Sequence, residues 1–229
     1  MEYSKGIHNQ SKKKNSMTQP LLSILIPTVV GREAHLNNLT TKLFGIPIGN
    51  DDMIGYIGGM VGEIHLIIAK DNKEMTIGQK RELLYSKAEG MYSIQIDDDD
   101  ELAPNAIELI LDAIKSNPEV DVITFEEYCN MDGKEYKSNH SATYSGWEGD
   151  GNSLFPDGFH FHRTPFFKSV IRTDLAKSVP IQKVRFGEDH IFANDLHPLI
   201  QSEIHIDKTL YRYIHISSNP TERYGLDKD

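Results

Sequence analysis

Apolar positions fall into short blocks along this chain, and the spacing within each block predicts its element. Residues 21–26 and 64–69 are continuous apolar runs, the pattern of strands buried on both faces. The second run ends at Lys70-Asp71-Asn72. Tyr92, Ile94 and Ile96 alternate with Ser93 and Gln95, the two-residue period of a strand. Residues 120–125 read as a further strand. Between these blocks the spacing turns helical. Leu36, Leu39 and Leu43 share one face of a helix over 32–44. Residues 78–88 form a second helix with Gly90 as its C-cap, and 104–115 a third with Pro104 in its first turn. Residues 45–62 are rich in Gly, Ile and Met, show no period, and read as an irregular insertion. The alternation predicts an α/β fold: a mainly parallel sheet flanked by helices on both faces.

The second half is less regular. Asp132-Gly133 suits a hairpin turn between 125–128 and 134–137. Residues 138–165 are loop-like and contain the only tryptophan, Trp147. Residues 166–178 mix a strand with a short helix. Gly187-Glu188-Asp189 precedes a helical stretch over 190–199, and short strands at 203–206 and 210–215 close the fold. Residues 1–19, with Lys12, Lys13 and Lys14 among polar residues, lack the apolar content to order themselves and read as a disordered tail. A single domain is expected over 20–218, with 219–229 loose.

One feature carries chemistry above the rest. The strand at 92–96 runs straight into Asp97-Asp98-Asp99-Asp100, and a helix start follows at Ala103-Pro104-Asn105. The carboxylates therefore sit at the carboxyl end of a strand, the edge where open α/β sheets bind ligands. Four adjacent carboxylates repel one another, so an ordered site needs a cation. Mg²⁺ and Mn²⁺ prefer oxygen ligands and share them with diphosphates. A solvated acidic turn is the simpler reading of a short acidic run, but the flanking strand and helix favour the metal.

Composition narrows the classes. A formal net charge of -10 argues against a broad nucleic-acid surface. Cys129 is the sole cysteine, which excludes an intrachain disulfide and fits a reducing, cytoplasmic compartment. No apolar run reaches transmembrane length, and the N-terminus lacks the apolar core of a secretory signal. His160 and His162 alternate on one strand face, but no Cys or further His stands at a spacing that suits zinc. They read as lining an acceptor pocket or as surface residues, and His197 and His205 as structural. Trp147, Phe155, Phe159 and Phe161 can stack on a sugar or base, or form local core.

Taken in order, these motifs resemble the family 2 glycosyltransferases of the GT-A fold, bacterial or phage type, over about 22–218. Ser23-Ile24-Leu25-Ile26-Pro27-Thr28 resembles the family's opening strand and turn, and Arg32 its turn arginine. Asp71 stands where an aspartate contacts uracil. Gly78 and Arg81, then Ala88-Glu89-Gly90, resemble the stretch before the metal strand, and the acidic run resembles the DxD motif. Glu188-Asp189 resembles the ED motif. His215, with Ser217 and Ser218 behind it, resembles the late histidine that helps hold metal or diphosphate. The chain departs from the pattern at Lys70, where an aspartate is frequent, and at Glu82, where asparagine is.

The resemblance implies a Rossmann-like GT-A domain whose 20–126 half binds a nucleotide sugar and whose smaller, irregular 127–218 half binds the acceptor. It implies a metal-dependent, inverting transfer from a UDP-sugar to an acceptor hydroxyl. Asp71 and the backbone of Pro27 and Thr28 then meet the uracil. Lys80 or Arg81 adds positive charge beside the diphosphate. Asp97 and Asp99 fit the DxD spacing, whereas Asp98 and Asp99 fit a variant with adjacent aspartates. Asp99 is the favoured direct ligand of Mn²⁺ or Mg²⁺, with Asp97 and His215 beside it, while Asp97 and Asp98 also suit ribose contacts. Asp189 is the expected base. A nucleotidyltransferase is the first alternative, but Pro27-Thr28-Val29-Val30-Gly31-Arg32 lacks its glycine density. A non-catalytic nucleotide-sugar-binding protein is the second, and it would need no base. The acceptor is a saccharide or lipid-linked saccharide by family habit. A modified base in phage DNA is the alternative, with nucleic acid entering only as acceptor.

Overall fold

The computed structural model describes residues 19–49 and 54–215. Of the tail expected at 1–19, residues 1–18 with their three lysines lie outside the described residues, as do Ser217, Ser218 and the end at 219–229, while Gln19 is described and its Nε2 donates to the Glu89 carbonyl at 3.1 Å. Among those described, the strands form one mixed sheet in the order β2-β3-β1-β4-β10-β6-β7-β9-β8, with β11 along β6 and the two-residue β5 (Glu101–Leu102) along β11. Its centre is parallel: β1 (Leu22–Val29) lies between β3 (Ile64–Asp71) and β4 (Tyr92–Gln95). The predicted α/β sheet with flanking helices is therefore present. Antiparallel neighbours join at β2 (Gly55–Val61) and β10 (Val170–Arg172).

Alternation along the central strands builds two cores. Leu22, Ile24 and Ile26 face α1 (Glu33–Phe44) and α3 (Ala106–Ser116), which contribute Leu36, Leu39, Ile110 and Ile114. Leu25, Ile67 and Ala69 face the other side. There they meet Leu84 and Tyr85 of α2 (Ile77–Lys87), Leu175 of α4 (Thr173–Ser178) and Phe192 of α5 (Glu188–Leu196). Each buried Leu or Ile contributes about 1.5–3 kcal/mol, which is why both faces of the parallel centre read as one apolar run. The carboxyl ends of β1, β3 and β4 lie side by side, with Val29 opposite Asp71 and Leu25 opposite Gln95.

Several elements depart from the sequence reading. Part of the irregular 45–62 insertion is β2, an exposed edge strand that pairs antiparallel with β3 from Gly55–Lys70 to Val61–Ile64. Its order comes from hydrogen bonds to β3, so no apolar period marks it. Gly90 is not the cap of α2. Ala88 caps that helix in an extended conformation. A Cβ on Gly90 would stand 2.5 Å from the Ser23 nitrogen, so Gly90 is there for close approach to β1. Pro104 precedes α3 instead of entering it. The hairpin is as predicted, with Asp132 and Gly133 both at positive φ, but β6 (Val122–Met131) and β7 (Lys134–His140) are longer than the periods suggest. Within the loop-like 138–165 stretch lie β8 (Trp147–Glu148) and β9 (Phe161–Arg163), antiparallel to each other. The two closing strands are one, β11 (Glu203–His215), broken only by register shifts around Thr209.

Candidate active site

The acidic run leaves β4 at the carboxyl edge, and each of its carboxylates meets a cation of the protein. Asp98 is buried. It accepts from Thr28 Oγ1 at 2.5 Å and from Arg32 Nε and Nη2 at 2.9 and 2.5 Å. Burial pushes its carboxyl up, against the pull of Arg32 and Thr28. Arg32 Nη2 also lies 3.0 Å from Asp99. Asp97 pairs with Arg81 Nη2 at 3.1 Å. Asp100 is fully buried and accepts from Tyr211 Oη at 2.8 Å and the Ile214 amide at 2.9 Å, with Lys168 Nζ 2.9 Å away. Its burial outweighs Lys168 and pushes the carboxyl up to about 7. The repulsion expected from four aspartates is thus relieved by Arg32, Arg81 and Lys168, which corrects the premise that the run requires a metal to be ordered.

The other donor-side candidates lie close by. Lys80 pairs with Asp71 and donates to the Thr28 carbonyl at 2.6 Å, joining the ends of β1 and β3. Burial lowers its affinity for a proton despite Asp71. The second Asp71 oxygen accepts from the Met75 amide at 2.7 Å, holding the turn into α2. That helix begins with a reciprocal capping box between Thr76 and Gln79, worth about 1 kcal/mol. Lys70, where the family pattern has an aspartate, is buried and paired with Glu33. Pro27, Thr28, Arg32, Lys80, Asp97 and Asp98 together line one cleft. Asp71 and Asp99 are not among its lining residues.

A larger cleft adjoins it and shares Ile77 and Asp97 with it. Arg81, Glu188, Asp189 and His215 line this second cleft. Arg81 is the bridge between the two motifs. Its Nε lies 3.1 Å from Glu188, its Nη1 donates to Gln95 at 2.9 Å, and its guanidinium sits over Phe167. Asp189, in the first turn of α5, accepts from Arg163 Nη2 at 2.6 Å. Burial would raise this carboxyl, but Arg163, His190 and Arg81 outweigh it and hold it below its usual value. Glu188 is more deeply buried and moves up in spite of Arg81. His215 ends β11 beside Tyr213, at 3.5 Å.

Three residues of this cleft escaped the sequence reading: Arg163, Glu127 and Lys168. Arg163 lies in the aromatic stretch that looked like loop, and the pairing of β9 with both β7 and β8 places it beside Asp189. Glu127 accepts from Lys168 at 3.2 Å and meets His140 at 3.0 Å. No spacing links these residues, because they come from three different strands or their flanks. His162, a possible acceptor-pocket residue, is instead stacked between Tyr144 and Phe155 and bonded to Asp157. His160 packs edge-on against Tyr136.

Asp97, Asp99 and His215 offer carboxylate oxygens and an imidazole nitrogen, a donor set that suits Mn²⁺ or Mg²⁺. Among the described residues, no three His, Cys, Asp or Glu side chains are gathered to hold a metal. Among these same residues, no helix is long and apolar enough to cross a membrane.

The family model described as glycosyl transferase family 2 matches residues 62–178, more than half of the chain. The chain belongs to glycosyl transferase family 2. Within that family its fold resembles Staphylococcus aureus TarS. The crystal structure of TarS 1–349 superposes with a TM-score of 0.57 at 15% identity, over 85% of this chain and 60% of that one. The same fragment in complex with UDP-GlcNAc gives 0.55 at 14% identity, over 86% and 59%. This chain thus spans well under two thirds of that TarS fragment. At such identity the likeness concerns the fold. No curated protein sequence matches the chain.

Proposed function

We propose that this family 2 glycosyltransferase moves a sugar from a UDP-sugar to an acceptor hydroxyl by a single, inverting displacement. The observation that carries the reading is the pair of adjoining clefts at the carboxyl edge of the sheet. One is lined by Pro27, Thr28, Arg32, Lys80 and Asp98, the other by Asp189, and they meet at Asp97. The first suits the nucleotide, with Pro27 and Thr28 at the base and Asp97 or Asp98 at the ribose, while Asp71, which does not line the cleft, holds Lys80 beside it. Family membership favours this reading over nucleotidyl transfer. The complexes of TarS with UDP-GlcNAc and UDP support the choice of a uridine nucleotide.

In this mechanism the acceptor oxygen attacks the anomeric carbon from the Asp189 side. Its proton passes to Asp189 as the new C–O bond forms. The old bond to the β-phosphate oxygen breaks, and its electron pair leaves with UDP. Arg32 and Arg81 stand beside the acidic run where positive charge can steady the departing diphosphate. Asp97, Asp99 and His215 are not gathered around a common point in this structure; a divalent cation on which they closed would add to that stabilisation. Aromatic and charged residues line the second cleft, which suits a saccharide or another hydroxyl-bearing acceptor.

Release of UDP from a panel of UDP-sugars, with and without candidate saccharide acceptors, tests the reading. Asp189→Asn should lower transfer by about 10²- to 10⁴-fold while UDP binding persists. Near wild-type transfer by this variant would remove Asp189 from the mechanism. Loss of UDP binding would move it to the donor site.

A further inference from the structure

Arg163 reaches Asp189 from a different part of the sheet. Its guanidinium lies 3.4 Å from the centre of the Phe166 ring and 4.6 Å from that of Trp147. Its strand is held by the Trp147–Arg163 pairing of β8 with β9, and its carbonyl accepts from the Ser141 amide at 3.0 Å. A planar cation stacked in this way has few other rotamers open to it. It donates to one Asp189 oxygen, Oδ2, at 2.6 Å. The other oxygen is left to accept from a hydroxyl in the cleft.

We propose that Arg163 is the positioning residue of the base: it fixes one oxygen of Asp189 and leaves the other turned toward the acceptor. The proposal rests on the reading of Asp189 as the base. Other charges also face this carboxylate. Glu188 and His190 come from its own helix and Arg81 from α2, while Arg185 lines the same cleft. Arg163 is the cation that touches it, and it makes the largest contribution to lowering the Asp189 pKa against burial. An opposite charge at such a distance favours the ionised carboxylate. The base then stays ionised further into the acid range than an ordinary aspartate, at some loss of basicity.

Carboxyl ¹³C NMR on protein labelled at aspartate reads this directly, with Asp189 assigned by the resonance missing in Asp189→Asn. In the wild type Asp189 should titrate below the ordinary value of about 3.9. Arg163→Met should raise it, and Arg163→Lys, which keeps the charge, should raise it less. In UDP release from UDP-GlcNAc, the acid limb of the rate should move upward with the carboxyl while UDP affinity stays the same. An Asp189 that titrates at or above the ordinary value in folded wild type overturns the proposal, and so does one that moves in neither variant. Should Arg163→Met fail to fold, the wild-type titration and Arg163→Lys decide. A carboxyl that moves while the acid limb stays put rejects Asp189 as base, and the proposal with it. If wild type releases no UDP, this donor is rejected and the carboxyl titration decides alone.

Discussion

Arg32 serves two carboxylates at once, and that sharing sets what its loss should cost. Asp98 is only 5% exposed and takes three of its four bonds from this one guanidinium. Arg32→Ala leaves a buried carboxylate with only the Thr28 hydroxyl. Removing one partner of a buried pair costs about 3–5 kcal/mol, measurable as a lower urea midpoint at unchanged slope. Adding Asp98→Asn to Arg32→Ala should recover part of that loss, with a coupling of about 0.5–3 kcal/mol. Strict additivity would mean that the pair contributes little. Arg81 has a comparable position, since it touches Asp97, Gln95 and Glu188. The sequence identified Arg81 through its family position, whereas its three partners became visible only when α2, β4 and α5 met.

At the scale of elements, α2 and the loop before α5 are set against each other. A Cβ on Gly78 would stand 1.9 Å from the Gln182 carbonyl oxygen, and the Gly78 amide donates to the Val184 carbonyl at 3.3 Å. This contact fixes the segment that leads through Gly187, at φ +78, to Glu188 and Asp189. Gly78→Ala must push the loop away. Overpacking of this kind costs about 1–3 kcal/mol, seen as a lower melting temperature. Sugar transfer by the folded fraction should fall further, because displacement of Asp189, the proposed base, by about 1 Å can cost 10²-fold. Equal melting temperature and activity would show that the loop yields freely. The sequence marked Gly78 through the family motif, but the physical reason for a glycine there is a backbone more than a hundred residues away.

At the scale of the whole molecule, ligand binding should be read as stability. The proposed donor cleft is lined by the end of β1, the turn into α2, α2 itself and the acidic run that follows β4, so a nucleotide held there bridges these segments. At 100 times its Kd, UDP should add about 2.7 kcal/mol, or roughly 5–10 °C in melting temperature for a domain of this size. If Asp97, Asp99 and His215 take a cation, the shift should be larger with Mn²⁺ than with EDTA. Asp99→Ala should erase that difference. An identical shift with Mn²⁺ and with EDTA in the wild type would remove the metal from the donor site. The sequence by itself determined the α/β class, the strand that carries the acidic run, the hairpin at Asp132-Gly133 and the candidates Asp97, Asp98, Asp99 and Asp189. Apart from Asp189, which the resemblance to the ED motif supplied, those features are local: a period, a turn dipeptide or a run of one charge. Only the tertiary structure decided which cation meets each aspartate, that an unpatterned segment becomes the edge strand β2, and that Arg163 meets Asp189. Edge strands take their order from a neighbour's hydrogen bonds, and ion pairs form between residues far apart in the chain. Neither leaves a period in the sequence, so both appear only when the sheet closes around them.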